Sequence, residues 1–196
     1  MTLNIMVLES EPGAADQAVR DLAEAGHSVL RCHDPGAPVF PCRGLVDEST
    51  CPLRSHAIDV ALTVRSGVSL QPAASEDGAR CALMRHVPLV VAGPSVFDPY
   101  ADLEVRVVEP AGDIVAACEE AAENEMAEYA QRAESVVKSA AATVTVVRKD
   151  GGLCVTIAGL GACTEHERRA AVVRAFGALR GIDRSARTID VSLAGS

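Results

Sequence analysis

The hydrophobic pattern of this chain changes once, near Ala140, and that change limits what the chain can fold into. Before it, short and mainly apolar runs are separated by helical or irregular segments. The runs are Leu3–Leu8, Ser28–Cys32, Ile58–Val64, Val87–Ala92 and Val105–Val108. A strand that is apolar at nearly every position has no solvated face, so it belongs to a sheet covered on both sides. Gly13–Ala25 repeats Ala15, Val19, Leu22 and Ala23 at helical spacing and stops at Gly26, a C-cap position. Ser75–Arg85 reads as a short helix. Residues 33–57 have no clean period and hold Pro, Gly and two Cys where a helix would normally stand, and irregular stretches of that length tend to be functional. Asp113 opens a helical run without Pro or Gly to about Ala140. As one helix it would span roughly 42 Å at 1.5 Å per residue, and two helices with a bend near Asn124 are the alternative. This order predicts an α/β domain with a doubly wound parallel sheet.

After Ala140 the period becomes two. Thr143–Val147 and Leu153–Ile157 alternate around Asp150-Gly151-Gly152, which reads as a hairpin turn. Thr164-Glu165-His166-Glu167 is a capping box, and the helix that it opens places Val172, Val173, Phe176 and Leu179 on one side before Gly181. Ile189, Val191 and Leu193 alternate in a last strand. With the end of the long helical run, this predicts a second, small α-β-β-α-β domain. The expected division is 1–122 and 123–196, joined by a helix over about 113–140.

Composition narrows the partners. Of 196 residues 48% are hydrophobic but only 3% aromatic, with no Trp. The core must be aliphatic, and an aromatic platform for single-stranded nucleic acid is excluded. The net charge of -9 argues against nucleic acid of any kind. That charge is uneven: residues 1–112 sum to -7, residues 113–140 to -5 and residues 141–196 to +3. The basic end is suited to an anionic surface or to the acidic part of the chain. Leu3–Leu8 is too short for a signal segment and no run reaches spanning length, so the expectation is a cytoplasmic protein without a membrane span.

Two resemblances follow from these segments. Val7-Leu8-Glu9-Ser10-Glu11-Pro12, Ile58-Asp59-Val60-Ala61-Leu62-Thr63-Val64, Val87-Pro88-Leu89-Val90-Val91 and Val107-Val108-Glu109-Pro110 resemble the strand ends of bacterial response-regulator receiver domains. The resemblance covers residues 3 to about 122 and implies a flavodoxin-like fold. The phosphoacceptor position falls on Val64, the lysine position on Glu109 and the hydroxyl position near Gly93, with acidic character kept only at Glu9 and Glu11. Val cannot be phosphorylated, and a Glu in place of Lys repels a phosphoryl group. The resemblance is therefore to a pseudo-receiver that signals by another input. Asp150-Gly151-Gly152-Leu153-Cys154-Val155-Thr156-Ile157-Ala158-Gly159, the helix from Glu165, and Gly181-Ile182 before Ile189-Asp190-Val191 resemble a BON domain. That resemblance implies contact with phospholipid or with protein, and Arg168, Arg169, Arg174, Arg180, Arg184 and Arg187 suit an anionic surface. A solvated helix face explains the same arginines.

Seven cysteines are the odd feature of a chain expected in a reducing compartment, where structural disulfides are rare. Cys32, Cys42, Cys51 and Cys81 follow the spacing C-x9-C-x8-C-x29-C around the irregular stretch. In a doubly wound sheet the loops at the carboxyl ends of the strands share one rim, so four thiols can converge there. Thiolates select iron–sulfur clusters, zinc or Cu(I). The lack of any C-x2-C knuckle favours an iron–sulfur cluster over zinc. His33 or His56 is a substitute ligand. Buried thiols without a metal, and a Cys42–Cys51 redox disulfide, are the other readings. Cys118, Cys154 and Cys163 fall on helix and strand positions where packing suffices, with Cys163 beside a helix start that favours a thiolate.

No Walker A sequence, Rossmann glycine fingerprint or nucleophile elbow is present, and no catalytic constellation emerges. The expectation is a non-enzymatic sensory or regulatory protein, a pseudo-receiver with a cysteine-ligated site coupled to a BON-like interaction domain. A homodimer or a protein partner would receive the signal. The alternative is a lipid- or protein-binding module whose cysteines are structural or redox thiols.

Overall fold

A computed structural model describes residues 2–68, 73–94, 106–108, 112–149, 152–183 and 186–194, with backbone alone for 106–108. The chain divides into two compact units, Met1–Ala122 and Glu123–Ser196.

The first unit is built on five strands, β1 (Asn4–Glu9), β2 (Ser28–Arg31), β3 (Val60–Val64), β4 (Leu89–Ala92) and β5 (Arg106–Val108), all parallel in the order β2-β1-β3-β4-β5. Alternation within β1 explains the mainly apolar run. Leu3, Ile5 and Val7 enter one core with Ala15, Ala18 and Leu22 of helix α1 (Asp16–Glu24). Ala117, Cys118 and Ala121, from the start of a helix over Ile114–Val137, complete that core. Met6 and Leu8 face the other way. They pack with Leu53 of a one-turn helix over Pro52–Ser55, and with Ala79 and Ala82 of a helix over Gly78–Leu83. Both faces are covered, so β1, β3 and β4 are apolar at most positions, whereas β2, at the sheet edge, is only partly buried and carries Ser28 and Arg31.

Because β1 lies between β2 and β3, the chain winds outward in both directions from it. The carboxyl ends of β1 and β3 flank the point where the direction of winding reverses, the usual place for a site in an open α/β sheet.

Residues 33–57 are not one irregular loop. They hold α2 (Arg43–Val46), a 3-10 turn at Glu48–Thr50 and α3 (Pro52–Ser55). Each is about one turn long, too short to leave a hydrophobic period in the sequence. The helix expected over Ser75–Arg85 is a 3-10 turn at Ala74–Glu76 followed by α4 (Gly78–Leu83).

The long run is a single helix, α5 (Ile114–Val137), without a break near Asn124. Residues as far as Ala122 belong to the first unit and those from Glu123 to the second.

In the second unit β6 (Thr143–Lys149) and β7 (Gly152–Ala158) pair antiparallel with Lys149 opposite Gly152. The turn at Asp150-Gly151 lies outside the described residues, as do Glu109, Pro110 and Arg184. α6 (Glu165–Ile182) returns the chain so that β8 (Ile189–Leu193) runs parallel to β7. Thr164 and Glu167 form the reciprocal cap that opens α6. The buried stripe of α6 differs from the expected one. Ala171, Ala175 and Leu179 face the core, whereas Val173 is 68% exposed and Phe176 42%. Small side chains four residues apart let a helix approach a sheet closely, and that outweighs the larger apolar area of Val and Phe.

Candidate functional site

The four cysteines lie on four different pieces of chain that contact one another. Cys32 directly follows β2, and its N–H donates to the Val7 carbonyl at 3.0 Å, so it extends the strand into the face where Leu53, Ala79 and Ala82 pack. Cys42 and Cys51 immediately precede α2 and α3. The Cys51 carbonyl accepts from the N–H groups of Arg54 and Ser55 at 2.9 and 3.0 Å and from Ser55 Oγ at 2.8 Å. Cys81 lies in the middle of α4 and reaches the surface.

Two glycines allow this approach. A Cβ on Gly78 would stand 2.8 Å from Cys32 Sγ and 2.6 Å from Leu8 Cδ2. A Cβ on Gly44 would stand 2.7 Å from Cys51 Cβ. α4 therefore lies directly on Cys32, and α2 directly on Cys51.

The thiols feel one another. Burial pushes the Cys32 thiol up to about 12, and the neighbouring Cys42, Cys51 and Cys81 add to the rise while Arg43 opposes it. Burial also raises Cys81, with further contributions from Cys42 and Cys51 and an opposing one from Arg85. Mutual repulsion of this kind holds a group of thiols protonated until a cation replaces their protons. All seven cysteines are free. Among the described residues no group of three or more His, Cys, Asp or Glu side chains is placed so that it could hold a metal ion.

His33 is partly buried beside the cluster. Burial and then Arg43 lower its pKa, against Asp34 and Asp77. His56 is exposed, and its Nδ1 is 2.8 Å from Ser55 Oγ. By residue type, four free thiols are donors of the kind that a thiophilic metal or cluster takes, and the Arg43 Nε is buried without a hydrogen-bond partner among the described residues.

The residues at receiver-like positions are committed elsewhere. Glu9 Oε2 accepts from the N–H groups of Gly13 and Ala15 at 3.2 and 3.3 Å and from Arg31 Nη1 at 3.1 Å. Glu11 accepts from Ser66 Oγ at 2.9 Å. Val64 is buried at the end of β3. A cavity of about 320 Å³ lies at this rim, lined by Glu9, Ser10, Arg31, His33 and Ser75 among others.

The remaining cysteines separate by burial. Cys118 is fully buried in the first core, and Cys163 packs against the second. Cys154 is exposed on β7, so packing does not account for it.

Sequence reasoning missed Arg43, Arg85, Gly44 and Gly78. The adjacency of Arg43 and Gly44 to Cys42 was the available signal. Compared with protein-family models, curated proteins and solved structures, the chain matches none of them.

Proposed function

We propose that this chain is a regulatory protein without catalytic activity, in which Cys32, Cys42, Cys51 and Cys81 hold an iron–sulfur cluster, with zinc as the other occupant of the same thiols. The single observation that supports this reading is the close packing of four cysteine-bearing segments, with Gly78 of α4 lying on Cys32 and Gly44 of α2 on Cys51. A packed core has no need to gather them. The bound group supplies a redox- or metal-dependent link between those segments. When their two cysteines are ligands, residues 33–57 gain a tie to β2 and α4 beyond the hydrogen bonds and packing that already join them, and loss of the group loosens that tie.

The strand order and the residues at the ends of β1 and β3 support a flavodoxin-like pseudo-receiver for the first unit, one that cannot accept phosphate at Val64. The α-β-β-α-β order supports a BON-like second unit, reached through the helix that runs in both. The output is a protein partner or a second copy of the chain. No described helix is long and apolar enough to cross a membrane.

Anaerobic purification followed by iron, sulfide and zinc analysis tests this reading. Substitution of any one of the four cysteines by Ser is expected to abolish the absorbance or the bound metal. A colourless, metal-free protein whose four thiols all alkylate freely would overturn it.

A second reading rests on the outward face of α6. Val173 and Phe176 are exposed there, and the Arg180 guanidinium sits 5.9 Å from the Phe176 ring centre, beside a face that also carries Arg168 and Arg169. An apolar strip edged by arginines suits an anionic lipid surface, with the first unit as scaffold. Flotation of the full chain with anionic vesicles, lost on Phe176→Asp, would favour it over the sensor.

A further inference from the structure

We propose that Arg43 and Arg85 are the positioning residues of the thiol site: each ties two cysteine-bearing segments together through a backbone carbonyl and holds a fixed positive charge beside the sulfurs, which fits the site to a dication. The inference rests on the reading of the four cysteines as ligands.

The geometry of the two arginines is parallel. Arg43 follows Cys42, and its Nη2 donates to the carbonyl of Arg31, the residue before Cys32. The bond links α2 to the end of β2. Arg85 lies four residues beyond Cys81, and its Nη1 donates at 2.7 Å to the carbonyl of Leu53, two residues beyond Cys51. That bond links the end of α4 to α3. One brace therefore joins the segments of Cys32 and Cys42, and the other joins those of Cys51 and Cys81. Nothing in the local sequence requires either bond, since the partners lie 12 and 32 residues apart.

Charge follows the same segments: Arg43 directly follows Cys42, and Arg85 lies four residues beyond Cys81. Four thiolates around a dicationic metal or cluster core leave two negative charges, and two guanidinium groups cancel them. The opposing carboxylate beside Arg43 is weak. Asp34 lies 3.6 Å away and is 75% exposed, where water screens it. Arg43 also keeps one donor in reserve: its Nε is buried and has no hydrogen-bond partner among the described residues. A thiolate sulfur is an acceptor that a neutral thiol replaces poorly, so this donor favours the ligating form. Arginine suits the task because its charge persists at every relevant pH while it donates to a carbonyl.

The test uses the full chain with Arg43→Lys, Arg43→Gln, Arg85→Lys and Arg85→Gln. Zinc alone is the probe, measured in competition with a chromophoric chelator at fixed pH, with thermal unfolding recorded alongside. Each Gln variant is expected to bind zinc about tenfold or more weakly, the usual effect of removing a partner outside the ligand sphere. Each Lys variant is expected to stay close to the unsubstituted chain, because it keeps the charge and one donor. Gln variants equal to the unsubstituted chain would overturn the proposal, and so would Lys variants as weak as Gln.

A second readout needs no metal. In the reduced, metal-free chain Arg43→Gln should speed amide hydrogen exchange in α2, and Arg85→Gln should speed it in α3, each without speeding the other. If the unsubstituted chain takes neither zinc nor a cluster, the reading of the site fails by itself. Hydrogen exchange then decides the braces alone: selective acceleration upholds them, and unchanged rates overturn them.

Discussion

Arg65 Nε donates to Glu76 Oε1 at 2.8 Å in the interior of the first unit, with side-chain exposures of 2% and 0%. Glu76 also accepts from Thr63 Oγ1 and from the N–H of Ala73, each at 2.8 Å. The carboxylate thereby pins the end of β3 to the turn that leads into α4, the helix of Cys81. Loss of one partner leaves a buried charge without its counterpart. Glu76→Ala should destabilise the first unit by about 3–5 kcal/mol, whereas the apolar pair Arg65→Met/Glu76→Leu should cost less than that single change. Urea denaturation of the full chain measures both. A double variant less stable than Glu76→Ala would show that the pair is net stabilising in its own right.

Glu125 in the second unit predicts a pH dependence. It accepts from Tyr129 Oη at 3.0 Å and faces Arg148, which also donates to Asp183 at 3.0 Å. Burial pushes the Glu125 carboxyl up to about 7, Arg148 and the Tyr129 bond oppose the rise, and Asp183 adds to it. A carboxyl with a raised folded pKa keeps its proton in the native chain and releases it on unfolding. The stability of the second unit should therefore fall as pH rises from about 4.5 through about 7, by on the order of 2–3 kcal/mol. Glu125→Gln should flatten that slope. In a Tyr100→Phe background Tyr129 is the sole tyrosine of a chain without Trp, so its fluorescence follows this unit. An unchanged slope in Glu125→Gln would assign the effect to another group.

The two glycines at the thiols predict a steric effect. Gly44→Ala places a methyl group against Cys51 Cβ, which can move only with its backbone. The expected loss is about 1–3 kcal/mol, together with weaker zinc binding. Gly78→Ala meets the ends of Leu8 and Cys32, so it should cost less stability but still displace a ligand. Gly177, on the exposed side of α6, has nothing within 4 Å of a built Cβ. Gly177→Ala should stabilise by up to about 1 kcal/mol and leave zinc binding unchanged. Denaturation and chelator competition on the three variants check the contrast.

Thiol reactivity in the native, reduced chain should follow exposure. Cys81 and Cys154 are exposed, whereas Cys118 is buried and its thiol is pushed up to about 12 by burial and then by Glu119. Brief alkylation at pH 8 with peptide mapping should label Cys154 first and Cys118 only after denaturation. Zinc or cluster loading should protect Cys81 and leave Cys154 reactive. Equal labelling of both in the loaded chain would remove Cys81 from the ligand set.

Sequence alone determined the succession of the strands and the longer helices, but not the one-turn helices within residues 33–57. Mainly apolar runs in β1, β3 and β4 announce strands covered on both faces, and alternation in β6 and β7 announces a sheet with one wet face, because the period of burial is printed in the residues themselves. It also singled out the four cysteines around residues 33–57. Tertiary structure decided what depends on distance between segments. The choice of Ala171, Ala175 and Leu179 over Val173 and Phe176 follows from how closely α6 approaches its sheet. The pairing of Arg65 with Glu76, and the braces from Arg43 to Arg31 and from Arg85 to Leu53, join residues that no local pattern relates. Periodicity reports which side of one element is buried. Which charge meets which, and which sulfur lies beside which, is settled only when separate elements pack.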